Sequence, residues 1–239
     1  IIVTARAQAE TLQDTPVNIS SLSNATLETY QVNELADVVS RVPTLNVQIG
    51  GSGAGAQISL RGLGSSNISS AFDSAVGLDF DGVQVSTQRL LQTAFFDVEQ
   101  IDVLKGPQSL YFGKAASAGV LSLRSANPTK NWEYSGQGSY EFEERGYTLG
   151  GYISGPLSNN LGIRVAAQYQ DISSYVQLEP QVVARDRNKG IKNFIGRVTL
   201  QWDPVDNFSA NFKFNYNVQR SETILGHSDL GCVGGPPPA

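Results

Sequence analysis

The sequence predicts a membrane β-barrel, incomplete over this stretch, preceded by a small mixed α/β unit. Three observations carry this. After Pro128, apolar residues recur at every second position in stretches of about ten residues. The links between these stretches are mostly either tight or long and polar. Before Asn127 the chain instead mixes helical and strand signals with glycine-rich breaks.

The N-terminal unit comes first. SNATLETY opens on the cap-type residues Ser23 and Asn24 and reads as a helical turn. In NELADVVSRVP, Asn33 is the expected N-cap. Leu35, Val38, Val39 and Val42 follow at helical spacing, and Pro43 ends the helix. TLNVQI, QISL, VGLDFDGV, EQIDVL and GVLSLRS read as short strands separated by Gly or polar residues.

Downstream, WEYSGQGSYEFE places Trp132, Tyr134, Tyr140 and Phe142 on one face, with Glu133, Gln137, Glu141 and Glu143 on the other. LGIRVAAQYQ sets Leu161, Ile163, Val165 and Tyr169 against Arg164, Gln168 and Gln170. NFIGRVTLQWD sets Phe194, Val198, Leu200 and Trp202 against Arg197, Thr199 and Gln201. FSANFKFNYNV sets Phe208, Phe212, Phe214 and Tyr216 against Asn211, Lys213, Asn215 and Asn217. YTLGGYISG is a weaker fifth case. The expected antiparallel strands lie near 132–143, 147–155, 160–171, 193–203 and 207–219. PLSNN and PVDN are tight links, and the link near Ser173 to Lys192 is long and polar. Only the first hairpin departs, because its turn EERG is short.

Short periplasmic turns, long outer loops, an apolar outer face and aromatic girdles describe an outer-membrane barrel. A soluble meander with one face on a core has the same alternation. No helix in this half covers the aromatic faces, however, and an uncovered open sheet aggregates. Single-chain bacterial barrels use an even number of strands, at least about eight. An open edge in lipid leaves peptide groups unpaired at several kcal/mol each. The expectation is therefore a protein that continues past Ala239.

Composition excludes other classes. A net charge of −5 and a pI near 4.9 argue against nucleic acid as a partner. With one Cys, one His and no CxxC spacing, no metal site or cofactor is expected. IDVLKGPQSLYFGKAASAGV superficially suggests a phosphate loop. Its spacing is wrong, Lys114 is followed by Ala115 and Ala116, and Pro107 removes a backbone donor. Asp79, Asp81 and Gly82 suggest a calcium loop, but its twelfth position is Leu90, so a hairpin turn is the better reading. His227, Asp229 and Cys232 stand too close together to converge as a catalytic trio. Cys232 is expected to pair with a Cys elsewhere. No enzyme activity is expected.

At this level of detail the sequence resembles the TonB-dependent receptors of Gram-negative outer membranes. TLQDTPVNISSLS, ELADVVSRVPTLNV, ISLRGLG, VGLDFDGV and VEQIDVLKGPQSLYFGKAASAGVLSLRSANP follow the family's plug-domain order, and YISGPLSNNLGIRVAAQYQ resembles its early barrel strands. The resemblance implies a plug, 9–128, inside a barrel of twenty-two strands whose first five occupy 129–239. It implies import of a scarce nutrient, such as a siderophore–iron complex, energised by TonB and its inner-membrane complex. A transporter that also signals, or a passive porin or adhesin, is the alternative. The protein is expected in the cell outer membrane as a monomeric barrel, in contact with lipid and an extracellular nutrient ligand.

The resemblance also assigns residues. The segment 1–8 starts with Ile1, Ile2, Val3, Thr4 and Ala5, which match the TonB-box region. An extended β-branched stretch there suits strand addition to a partner's sheet edge. Arg61, Glu99, Asp102 and Lys105 are expected in a charged cluster seating the plug against the barrel. Gly106, Pro107 and Gly113 are expected in a tight reversal between plug strands. Polar plug loops carrying Ser52, Gly53, Ser66, Asn67, Phe72 and Arg89 are candidates to face substrate.

Overall fold

The structure is a computed structural model, and it describes residues 2–3, 10–11, 17–30, 32, 35–49, 56–64, 75–85, 95–142, 146–172, 190–205 and 207–221. A two-residue ladder joins β1 (Ile2–Val3) to β2 (Glu10–Thr11). The N-terminal unit then runs β3 (Asn18–Ser23), α1 (Asn24–Thr29), α2 (Leu35–Arg41), β4 (Leu45–Ile49), β5 (Ala56–Leu60), β6 (Leu63–Gly64), β7 (Val76–Phe80), β8 (Val83–Val85) and β9 (Val98–Lys105). A helical turn, α3 (Ser109–Phe112), and a 3₁₀ turn (Lys114–Ala116) precede β10 (Gly119–Ser125).

Its main sheet has the order β3-β9-β10-β7-β8, with β10 parallel to β7 and the other pairs antiparallel. A small sheet, β4-β5-β6, lies beside it. Alternation gives the main sheet an apolar face of Leu78, Ile101, Val103, Leu121 and Leu123. Leu27, Leu35, Val38 and Val42 from α1, α2 and the residue after α2 close over that face, with Leu45, Ile58 and Leu60 from the small sheet. The helical spacing of Leu35, Val38 and Val42 thus marks the buried stripe of α2.

The second unit is one antiparallel sheet in chain order: β11 (Glu133–Glu141), β12 (Gly146–Ser158), β13 (Leu161–Ile172), β14 (Ile191–Val205) and β15 (Phe208–Ser221). β12 and β14 run past their expected ends into the tight turns, to Ser158 and Val205, where the backbone stays paired, whereas β11 is shorter than expected at both ends. Bulges stand at Pro156/Ser158 and Trp202/Val205, where proline cannot donate to the ladder. One face carries exposed Leu149, Ile153, Val165, Phe212 and Phe214. Aromatic contacts band its two ends: Tyr147–Tyr169 and Phe194–Tyr216 at one, Trp202–Phe208 at the other. The opposite face meets the N-terminal unit.

Candidate functional site at the interface of the two units

Three cations on adjacent strands hold the N-terminal unit. Arg164 of β13 stands directly opposite Thr199 of β14, and Thr199 opposite Lys213 of β15. One row further along, Ala166, Arg197 and Asn215 are aligned. All lie on the polar face, so strand pairing alone brings them together.

Their partners are turn residues at one end of the main sheet. Asp97 immediately precedes β9, and Asp81 lies in the Asp81-Gly82 turn joining β7 to β8. Both have left-handed backbone, φ 54° and φ 52°. Asp tolerates this conformation because its short side chain bonds locally. The Asp97 carboxylate accepts from Arg164 Nε at 3.0 Å and from Arg164 Nη2 at 2.5 Å, a two-pronged ion pair. Both side chains are more than nine-tenths buried. The Arg164 guanidinium also stacks on Tyr152, 3.7 Å from the ring centre.

Arg197 is held differently. Its Nη1 donates to the carbonyls of Phe96 and Asp97 at 2.7 and 3.0 Å, and its Nε donates to Asn215 Oδ1 at 2.6 Å. The rings of Phe80 and Phe96 flank its charge. Phe96 also packs on Ala166 and Ile195, sealing the contact with apolar surface. Lys213 Nζ donates to Asp81 Oδ1 at 2.9 Å and to Ser125 Oγ at 2.8 Å. Asp81 in turn accepts from the Ser125 N–H and hydroxyl. The connecting segment is fixed as well, since the Thr129 N–H donates to Ser154 Oγ at 2.9 Å and Asn211 Nδ2 donates to Asn127 Oδ1 at 2.9 Å.

The cluster expected from Arg61, Glu99, Asp102 and Lys105 does not assemble among the described residues. Arg61 is exposed in the turn after β5 at φ 53°, because it leaves the apolar strand at its end instead of lying within it. Glu99 is exposed on β9. Lys105 is half-buried at the far end of β9, opposite Asn18 and Gly119. Asp102 is buried, but it accepts from Gln100 Nε2 at 2.9 Å within its own sheet. The residues that do form the contact, Asp81, Asp97, Arg164, Arg197 and Lys213, were missed. The signal for the three cations is a single basic residue on the polar face of each of three successive strands.

Gly106, Pro107 and Gly113 bound a longer feature than a tight reversal. Gly106 at φ 100° and Gly113 at φ 67° bracket α3, and the loop closes on itself. The Gly106 N–H donates to Ala118 O, and the Gln108 N–H donates to Ala116 O. These donors are used within the loop and do not converge on a phosphate. The Asp81-Gly82 hairpin likewise takes the place of a calcium loop. Of the TonB-box residues only Ile2 and Val3 are described. Ser52, Gly53, Ser66, Asn67, Phe72, Arg89 and Cys232 lie outside the described residues. Among the described residues no group of three or more metal-ligating side chains converges.

Comparison with known proteins gives a consistent result. The family model described as "TonB-dependent Receptor Plug Domain" matches residues 11–120. The iron-regulated outer membrane virulence protein of Vibrio cholerae is 24% identical across 98% of this chain and 36% of its own length. The pesticin receptor of Yersinia pestis is 28% identical across 84% of this chain and 28% of its own. Among solved structures, the ferric yersiniabactin uptake receptor FyuA from Yersinia pestis superposes with a TM-score of 0.71 at 25% identity, covering 86% of this chain and 32% of that one. The ferripyoverdine receptor of the outer membrane of Pseudomonas aeruginosa gives a TM-score of 0.68 at 19% identity, covering 90% and 27%. This chain thus spans about a third of the length of these relatives.

Proposed function

Because the chain belongs to the TonB-dependent receptors of the Gram-negative outer membrane, with a plug followed by early barrel strands, we propose that it forms the gate of an energy-coupled importer. The observation that carries this reading is the anchor. Asp81 and Asp97 tie the plug to β13, β14 and β15 through buried charged hydrogen bonds. A plug held this way blocks the barrel at rest, and passage requires work on it.

That work is assigned to TonB and its inner-membrane complex, acting on the segment Ile1 to Ala5 by strand addition. Outer-membrane lipid surrounds the aromatic face. The relatives are named for iron-regulated virulence, pesticin and hemin reception, and ferric yersiniabactin uptake. Their names support an iron-related cargo for this receptor. The loops at 50–55, 65–74 and 86–89 are proposed to meet it from outside.

The test is uptake of radiolabelled ferric chelates by cells carrying the full-length receptor, with and without TonB. Uptake should fall to background when TonB is deleted. Undiminished uptake in the deletion strain refutes the importer reading and leaves a passive pore.

A further inference from the structure

The inner face of the wall changes chemistry immediately beyond the anchor. Strand register continues this face away from the tight turns in rows. The row after Arg197 is Gln137, Gly150, Gln168, Ile195 and Asn217. The plug covers it at its centre, where Ile195 packs on Phe96, while Gln137 and Asn217 at its ends are exposed. The next row is Ser139, Thr148, Gln170, Asn193 and Gln219. All five of its side chains are hydroxyls or amides, and the two rows together carry no charge. Asn217 Nδ2 donates to Asn193 Oδ1 at 2.8 Å, which links the rows.

These rows lie on the same face as Arg164, Arg197 and Lys213, whose positive charges are committed to the plug. Among the described residues, an anionic solute therefore meets no uncommitted cation on these two rows. Focusing of an anion needs a surface lined with the opposite charge. Amides and hydroxyls both donate and accept, and they match the hydroxyl and amide groups of an uncharged solute.

Resting on the importer reading above, we propose that these two rows are a binding track for an electrically neutral solute rich in hydroxyl or amide groups. On these rows the available groups suit a cargo of that class and not a multiply charged anion. The amides and hydroxyls of the two rows offer exchangeable hydrogen bonds, so a solute can advance without being trapped at one strong site.

The test uses purified full-length receptor in detergent, titrated calorimetrically with three probes. These are maltohexaose, the neutral ferric trihydroxamate ferrichrome, and anionic ferric citrate. At least one neutral probe should bind, and ferric citrate should not. Gln170→Leu with Asn193→Leu keeps side-chain size while removing the hydrogen-bonding groups. This pair should weaken the neutral probe by about tenfold or more, as expected when two hydrogen-bonding partners are lost. Gln170→Ser with Asn193→Ser should retain most of the affinity, and heat-modifiable gel mobility checks that each variant folds. No neutral probe bound at millimolar concentration, ferric citrate alone bound, or leucine variants that bind normally would each overturn the track. Failure of the importer reading has a different mark. Uptake of a bound neutral probe would then persist without TonB while the leucine variants still lost binding.

Discussion

At Asp97, backbone and side chain serve the same contact. Its left-handed turn presents two carbonyls to Arg197 while its carboxylate meets Arg164. Arg164→Ala would leave that carboxylate largely buried without its counter-charge. Losing one partner of a buried pair costs roughly 3–5 kcal/mol. Hydrogen exchange of residues 95–105 in the full-length receptor should accelerate accordingly. Arg164→Lys should recover only part of the loss, since an ammonium cannot reproduce the two-pronged geometry. Asp102 belongs to a different case. Burial raises its pKa, opposed by hydrogen bonds with Gln100 and Ser21 and by the charge of Arg124. The fold therefore favours the protonated form. That contribution is complete below about pH 4, the unfolded carboxylate range, and disappears as pH rises through the folded value. Asp102→Asn should therefore stabilise the plug at neutral pH and have little effect in acid, which denaturation at the two pH values measures.

Element by element, the main sheet depends on close approach at one glycine. A Cβ on Gly119 would lie 2.3 Å from Leu104 O and 2.4 Å from Leu60 Cδ2, and its φ of 154° is unsuited to a side chain. Gly119→Ala should destabilise the plug by about 1–3 kcal/mol, the usual cost of overpacking, as read by urea unfolding. The strands after Pro128 were legible because period-two alternation is a local property. Leu149, Val165 and Phe214 face one side whatever the distant chain does. The stripe of α2 was legible for the same reason. α3 was not, since SLYF is too short to show helical periodicity and its turn is set by bonds from Gly106 and Gln108 to residues downstream. Nor was the anchor. Asp81 and Arg164 announce a charge but not a partner, because each pairs with a residue far along the chain.

For the whole molecule, the plug is clamped at two separate turns by strands two apart. Arg164 and Lys213 are separated by about 10 Å of sheet, twice the spacing of neighbouring strands. Interactions at that separation with no shared partner add to within about 0.5 kcal/mol. Arg164→Ala and Lys213→Ala together should therefore loosen the plug by close to the sum of their separate effects. Limited proteolysis at residues 126–132 provides the readout, and a much larger combined effect would reveal one cooperative clamp instead of two.

The alternation that aligns Arg164, Thr199 and Lys213 also polices assembly. Slipping β14 past β13 by a single residue reverses every side chain on the slipped strand. Arg197 would then point into hydrocarbon, and Phe194 would point at the plug. A misthreaded wall is thereby penalised twice, by a stranded cation outside and a lost grip inside, so the correct threading of these strands is proofread by the domain they enclose.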